Sequence, residues 1–393
     1  MRFRLLPLLT LALLLAACDT GEGSSLYDPD AETGPTPVIS SVSPQGVVLA
    51  GVDVVVIEGQ NFSDDPALNR VVFDDAAGDA GPGEVLSASP TRLEVRTPNL
   101  PNPALRVRVA VVGAQDFSNA VALPLTAAIE SFGEIARTEV PFGVAADADG
   151  TAYVSLLNEG SAVGIVEIAP DGTRAASTYF ASTFQWPALA FAGDLLVGVR
   201  RVRAVFGLPE GEGQQVLAAL EPTSLSLVAV AATPDGTVYV GGNEPALYTV
   251  RADGSTSETP FPANVRALAA AGGTLYVVTA SPEGAPGDVV ALPIASDGAL
   301  GAPRTLAPLP AGGTAIAVAA DGTLFVGLDR VEDSIVTVSP SGAVEVLYPD
   351  VIRGRVVSLA YGAGSQLYMT RAAISDDDPA DLFRIETRRP GAR

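Results

Sequence analysis

A short motif recurs in the C-terminal two-thirds of the chain, and its spacing constrains the fold more than any other feature. The motif first reads VAADADGTAYVS and returns in forms such as VAATPDGTVYVGG and LAAAGGTLYVVT. One large residue marks each of the six copies: Tyr153, Leu196, Tyr239, Tyr276, Phe325 and Tyr368. These residues are 43, 43, 37, 49 and 43 positions apart, which indicates an array of similar supersecondary units.

Each copy predicts four short strands. An alanine-rich strand such as AIAVAA leads through an Asp-Gly or Gly-Gly turn into a strand such as TVYVG, which carries the large residue. A third strand, such as ALYTV, turns into a fourth. Because units of four strands and about 40–50 residues are typical of propeller blades, residues 127–388 are predicted to form a six-bladed β-propeller. The alanine-rich strands are expected nearest the axis, where small side chains fit.

The two ends of this segment predict how the ring closes. Residues 133–140 are expected to supply the outer strand of the sixth blade, which would remove an exposed sheet edge. Residues 389–393 are interpreted as a C-terminal tail.

Residues 38–126 contain short strands of a different pattern. Apolar residues alternate with arginines over 105–109, and six or seven such strands predict an antiparallel sandwich. The segment resembles the IPT/TIG immunoglobulin-like domain at Pro37, Ile39, Pro44, Gly51, Val54, Val56, Gly59, Asn61, Phe62, Thr97 and Pro98. That resemblance implies a spacer or stalk, and occasionally a sugar or protein binder. The predicted fold class is all-β, with an Ig-like β-sandwich followed by the propeller.

The N-terminus predicts a lipoprotein. Arg2 and Arg4 precede an apolar run, residues 5–15, that is too short to span a bilayer, so residues 1–17 are interpreted as a signal peptide. The run ends in LAAC, which resembles the bacterial lipobox and implies acylation of Cys18. An ordinary cleaved signal peptide is the alternative.

The segment after the lipobox predicts a tether. Residues 18–37 are rich in Gly, Ser, Pro and acids, a composition that cannot bury a core. The acyl chains would attach the protein to a membrane. The predicted location is the cell envelope, with the outer membrane or cell surface favoured over the inner membrane.

The charge balance limits the choice of partners. The chain has 45 acidic residues against 23 basic ones, all of them Arg, and a net charge of −22. Such a chain repels nucleic acid and anionic lipid headgroups. It has no His, and Cys18 is the only Cys, so no intramolecular disulfide is expected and no cofactor is predicted. The oligomeric state is left open.

The first copy of the motif carries a possible metal site. Asp147-Ala-Asp149-Gly150 resembles part of a calcium loop, but position 145, where such a loop needs an oxygen ligand, is Ala. The stretch is therefore interpreted as a two-residue hairpin turn, like Asp235-Gly236 and Asp321-Gly322.

The same unit resembles NHL-repeat and gluconolactonase-like blades at Pro141, Gly143, Val144, Ala145, Asp147, Gly150, Tyr153 and Val154. Residues 155–158 depart from the usual NHL continuation. Phe142 stands where the lactonases carry a metal-ligating Glu, so neither catalytic nor metal-binding residues are predicted. A divergent metal-dependent lactonase or hydrolase stays open as an alternative function.

Long connections predict where a ligand binds. The Asp-Gly turns belong to one end of the propeller, the turn face, which is expected to offer little room. The long, charged loops belong to the opposite end, the loop face, where function concentrates on a rigid scaffold. The candidate ligand-binding residues there are Arg200, Arg201, Arg203, Arg266, Arg330, Arg355 and Trp186. Core packing is the competing interpretation for Trp186, and solvated loops are the competing interpretation for the arginines.

The sequence therefore predicts a non-catalytic envelope lipoprotein whose propeller presents a binding face. Its ligand is expected to be a protein segment or a glycan rather than a nucleotide, because no glycine-rich phosphate cradle is present. A glycan-binding surface protein is a further alternative.

Overall fold

A computed structural model describes residues 34–280 and 285–392. The predicted signal peptide, Cys18 and most of the predicted tether lie outside these residues. The described chain is almost entirely β-structure, as predicted. No helix in the described part is long and apolar enough to cross a membrane.

The first domain is a sandwich of seven strands. These strands are β1 (Val38–Ser43), β2 (Val54–Gln60), β3 (Asn69–Asp74), β4 (Ala80–Ser89), β5 (Arg92–Arg96), β6 (Arg106–Val111) and β7 (Val121–Ala122), with a single 3-10 turn at Pro66–Leu68. Their spatial order is β1-β2-β5-β4-β3-β6-β7. The first half of β4 pairs with β3 and the second half with β5, so the sheet folds over β4 into two layers. Leu93 from one layer and Phe73 from the other lie in a common core.

The propeller consists of six four-stranded antiparallel sheets. A short strand, β8 (Ile129–Ser131), precedes the first blade. Blade one contains β9 (Glu139–Ala146), β10 (Ala152–Asn158), β11 (Ser161–Ile168) and β12 (Arg174–Phe180). Blade two contains β13 (Ala188–Ala192), β14 (Leu195–Val199), β15 (Ala204–Gly207) and β16 (Gln215–Ala219). Blade three contains β17 (Leu227–Ala232), β18 (Val238–Gly242), β19 (Ala246–Val250) and β20 (Thr256–Pro260).

The other three blades follow the same plan. Blade four contains β21 (Val265–Ala271), β22 (Thr274–Thr279), β23 (Asp288–Pro293) and β24 (Arg304–Pro308). Blade five contains β25 (Gly313–Val318), β26 (Leu324–Leu328), β27 (Ile335–Val338) and β28 (Val344–Val346). Blade six contains β29 (Val356–Tyr361), β30 (Gln366–Arg371), β31 (Asp381–Glu386) and, as its outer strand, β8.

The alanine-rich strands lie innermost, as the sequence predicts. They are β9, β13, β17, β21, β25 and β29, and each is the edge strand of its own sheet. The large residues one strand out pack between blades: Tyr239, Phe325 and Tyr368 are each at most 1% exposed. Burial of such aromatic side chains stabilises the contact between neighbouring sheets.

The ring closes one segment earlier than the sequence predicts. Residues 129–131, not 133–140, supply the outer strand of blade six, where Ile129 pairs with Ile385 and Ser131 with Phe383. Residues 139–140 belong instead to the inner strand of blade one. Gly133 lies in the segment between β8 and β9 and has a φ of +79°. A Cβ at this position would lie 2.5 Å from a methyl group of Ile168. The chain needs this glycine to cross closely over blade one.

The Asp-Gly turns enclose three residues, so the predicted two-residue turn is wrong. In blade three the amide of Thr233 donates to the carbonyl of Thr237 at 2.9 Å, and Gly236 has a φ of +88°. A three-residue hairpin places its glycine in this left-handed region. In blade one, the Asp147 carboxylate accepts hydrogen bonds from the amides of Asp149 and Thr151 at 3.0 and 2.9 Å. Asp147 thus stabilises its own turn.

Candidate binding site on the propeller axis

A cavity of about 560 Å³ lies on the propeller axis and opens at the turn face. It is lined by the C-terminal ends of the inner strands, each of which contributes an alanine: Ala146, Ala190, Ala232, Ala270, Ala317 and Ala360. Because a methyl group reaches only a short distance, six alanines leave the centre of the ring unfilled. A cavity of this volume accommodates a small molecule or a short peptide segment.

The walls of this cavity also present backbone groups. Each inner strand is an edge strand, so half of its N–H and C=O groups point away from its own sheet. Nearer the loop face some of these groups have partners: the amide of Gly143 in β9 donates to the carbonyl of Trp186 at 3.0 Å, and the carbonyl of Leu227 in β17 accepts from the amide of Arg201 at 2.9 Å. At the turn face, the end of β25 has a partner through a bridge between Ala319 and Gly391. The axis is therefore lined by methyl groups together with hydrogen-bond donors and acceptors.

The rim of the cavity is negatively charged. The six turns between first and second strands carry no arginine, and their acidic residues are Asp147, Asp149, Asp194, Asp235 and Asp321. Hydrogen bonds from the Thr233 hydroxyl and from Thr237 hold the pKa of Asp235 below its ordinary value of 3.8, so this carboxylate is ionised at neutral pH. Carboxylates around a low-dielectric opening concentrate cationic ligands.

The channel narrows to a space of about 60 Å³ towards the loop face. Inner strands bulge at this level, and the bulged residues Val228, Arg266, Thr314 and Val357 line the narrowing. Arg266 is the only charged residue in that lining. Thr314 Oγ1 is buried there without a hydrogen-bond partner among the described residues. This narrow space has room for only a few water-sized groups.

The structure brings two of the predicted ligand-binding residues together. The Arg200 guanidinium carbon lies 3.7 Å from the ring centre of Phe184, 4.6 Å from that of Phe206 and 5.7 Å from that of Trp186. Burial lowers the pKa of Arg200, and its Nε has no hydrogen-bond partner in the described residues. Stacking on aromatic faces compensates for part of this lost solvation.

Trp186 itself belongs to the core, which corrects its predicted role as a ligand contact. Its side chain is 0% exposed, and its indole N–H donates to Ser182 Oγ at 3.2 Å. It packs edge-on against Phe180 and Phe206. A ring enclosed on these sides has no free face on which a sugar could stack.

The other predicted arginines are distributed over separate loops. Arg203 forms an ion pair with Glu221, and Arg355 lies 3.6 Å from Asp329. Arg330 donates to the carbonyl of Asp333 at 2.7 and 2.9 Å, within its own loop. Arg201 is exposed. Among the described residues, the loop face therefore has no single arginine cluster.

The expectation that the turn face has little room is wrong. The short turns leave the axial opening wide, whereas the bulged residues narrow the channel at the loop face. One alanine in every inner strand was the available sequence signal for this cavity. In the described part of the chain, no three acidic, His or Cys side chains group as a metal site would require.

Comparison with known proteins identifies the first domain. Residues 37–124 match the family model of the IPT/TIG domain. The chain carries an IPT/TIG domain. No curated protein matches the sequence significantly.

Two solved structures align with most of the chain. A crystal structure of a structural-genomics protein of unknown function from Bacteroides thetaiotaomicron VPI-5482 aligns with a TM-score of 0.50 and 14% identity, covering 92% of this chain and 99% of that one. The WD40 β-propeller domain of Doa1 aligns with a TM-score of 0.43 and 11% identity, covering 89% and 96%. At 14% identity, the similarity to the Bacteroides protein shows the fold alone.

The IPT/TIG domain contacts the propeller directly. Its Asp53 forms an ion pair with Arg388, just beyond the end of β31. The hydrogen bond to Asp53 raises the pKa of Arg388. Asp53 Oδ2 also accepts a hydrogen bond from the amide of Leu49 at 2.7 Å, which fixes the carboxylate for this contact.

Proposed function

We propose that this protein is a lipid-anchored, non-catalytic binding protein of the bacterial cell envelope. The axial cavity at the turn face carries the proposal, because it combines about 560 Å³ of space with free strand edges on a rigid ring. Its ligand is a protein segment. The IPT/TIG domain acts as a spacer between the membrane and the propeller.

The lining of the cavity favours a peptide over a glycan. An extended peptide bonds to an exposed strand edge through its main chain, and the neighbouring pockets select its side chains. A sugar instead needs an exposed aromatic face. The two aromatic side chains in the lining are already in contact with others: Phe191 packs edge-on against Tyr153, and Tyr361 against Phe325.

A variant that fills the cavity tests the site. Ala270 lies in the lining, so we expect Ala270→Phe to lower binding to arrayed synthetic peptides about tenfold or more, as the loss of a central contact does. The matched control is Ala176→Phe on the exposed outer strand of blade one, which should bind as the wild type does.

The same array distinguishes the alternatives. Equal loss of binding in both variants, or no loss in Ala270→Phe, would place the site elsewhere on the molecule. Binding to a parallel glycan array and not to peptides would favour the glycan-binding alternative. Melting temperatures of the two variants show whether each has kept its fold.

Membrane attachment is tested separately at Cys18. The LAAC sequence supports acylation of this residue, and we expect Cys18→Ser to move the protein from the membrane fraction to the soluble fraction. Several acyl chains together bind a membrane firmly, since each buried CH₂ contributes about 0.8 kcal/mol. Metabolic labelling with a fatty acid should mark the wild type alone. Retention of the unlabelled variant in the membrane fraction would exclude the lipid anchor.

A further inference from the structure

The segment after β31 lies across the mouth of the axial cavity. It leaves blade six at Thr387 and reaches the inner strand of blade five, where the amide of Ala320 donates to the carbonyl of Pro390 at 2.8 Å. The amide of Ala392 donates to the carbonyl of Val318, also at 2.8 Å. Residues 390–392 thereby add a short antiparallel strand to the axial edge of β25.

Side chains of this segment match the mouth in charge and in size. Arg389 forms an ion pair with Asp321 on the rim. Gly391 lies against the ring of Tyr361, and a Cβ at that position would be 2.5 Å from the ring carbon Cγ. Ala392 then contributes to the cavity lining. An arginine at the rim, followed by small residues inside, is thus a combination that this mouth accommodates.

Three other blades offer the same features without an occupant among the described residues. At the turn face, the ends of the inner strands of blades one to three form no bridge to a further strand among the described residues, and their turns carry Asp147, Asp149, Asp194 and Asp235. None of these four carboxylates forms an ion pair with an arginine in the described part of the chain. Blade four, by contrast, turns through Gly272-Gly273 and has no rim carboxylate.

We propose that the turn-face mouth binds an extended peptide in which arginine precedes small residues. This inference rests on the proposed function and names its ligand class. The peptide adds as a strand to an axial edge of blades one to three, with its guanidinium on the rim carboxylates and its small residues in the alanine-lined cavity. The segment 387–392 shows this mode of binding within the molecule itself.

The test uses the full chain and fluorescent peptides. The probe is Thr-Arg-Arg-Pro-Gly-Ala, compared with Thr-Gln-Gln-Pro-Gly-Ala and with Thr-Arg-Arg-Pro-Leu-Phe, in a fluorescence anisotropy titration. We expect Thr-Arg-Arg-Pro-Gly-Ala, the arginine peptide, to bind about tenfold more tightly than either of the others. The glutamine peptide lacks the positive charge, and the large side chains of the Leu-Phe peptide cannot enter the cavity. Raising the salt concentration should weaken its binding, since exposed charges are screened over about 8–10 Å.

Rim variants test the position of the site. In the double variant Asp194→Asn/Asp235→Asn, affinity for the arginine peptide should fall about tenfold, towards that of the glutamine peptide. The matched control is Asp253→Asn, on the turn between the outer strands of blade three, which should not change the affinity. Equal binding of all three peptides, or equal loss in the control, would overturn the inference.

The outcome separates this inference from the proposed function. If the arginine peptide does not bind while Ala270→Phe still abolishes binding to other arrayed peptides, the ligand class is wrong and the binding function stands. If the Leu-Phe peptide binds as tightly as the arginine peptide, the rim carboxylates bind the arginine side chains without addition of the peptide as a strand. That result would also refute the inference.

Discussion

Glu139 is a buried carboxylate, 5% exposed, at the start of the first inner strand. Arg174 donates two hydrogen bonds to it, at 2.7 and 2.9 Å, and the amide of Ala136 donates a third at 3.0 Å. Burial by itself raises the pKa of this carboxyl. The hydrogen bonds from Arg174 and Ala136 outweigh that effect, so the pKa of Glu139 lies below its ordinary value of 4.5.

Arg174→Met should therefore destabilise the propeller in a pH-dependent way. Removing the partner leaves a buried carboxylate, which costs about 1.5–3 kcal/mol at pH 7. Because the folded-state pKa is lowered in the wild type, the stabilisation is present above pH 4.5 and is lost as the pH falls through the folded-state value. Urea denaturation should show a large difference between wild type and variant at pH 7 and a smaller one below pH 4.

The exposed residue Arg304, which forms no ion pair with other described residues, provides the control. Arg304→Met should leave the free energy of unfolding unchanged at both pH values, because surface charges contribute little. A loss in Arg174→Met that is equally large in acid would show that its packing, and not the charge pair, stabilises the fold.

At the same scale, sequence alone could not assign single side chains to core or surface. Trp186 follows a run with several aromatics, and such a run is compatible with either a core cluster or an exposed platform. Its burial depends on Phe180 and Phe206, which reach it from neighbouring strands. Phe184, two residues earlier, is 47% exposed and covers Arg200 instead.

Among the elements, first and second strands of each blade were predictable from their pattern. Their alanine-rich and aromatic sequences follow from packing on the axis and between blades. Outer strands carry weaker signals: β28 has only three residues, Val344–Val346, and β20 alternates exposed and half-buried positions. The closing strand β8, Ile129–Ser131, is equally short, and this explains why its position was predicted a few residues too late.

The axial cavity could not be predicted from any one element. Its width depends on how far apart six inner strands stand, which is a property of the closed ring. The sequence supplied the number of blades and the alanines, but not the bulges at Val228, Arg266, Thr314 and Val357 that narrow one end. The choice between turn face and loop face therefore required the assembled structure.

For the whole molecule, closure of the ring depends on a segment that precedes blade one. Phe132 follows β8, is 4% exposed and stacks on Tyr368 with ring centres 5.0 Å apart. Ser131 Oγ donates to Asp381 Oδ2 at 2.7 Å, and Arg384 donates to Glu130 at 2.5 and 2.9 Å. These contacts join the beginning of the propeller to its last blade, so β31 is paired on both sides and β8 forms the outer edge of blade six.

Two shortened chains, one beginning at residue 127 and the other at residue 133, isolate this closure. Both lack the IPT/TIG domain and its Asp53–Arg388 contact, but only the second also lacks β8 and Phe132. Loss of a buried phenylalanine contact costs about 3–5 kcal/mol, which for a propeller of this length corresponds to a fall of roughly 10 °C in Tm. The shorter chain should also self-associate on size-exclusion chromatography, because an exposed strand edge pairs with other chains. Equal Tm values and a monomeric elution of both chains would mean that the propeller is held together without β8.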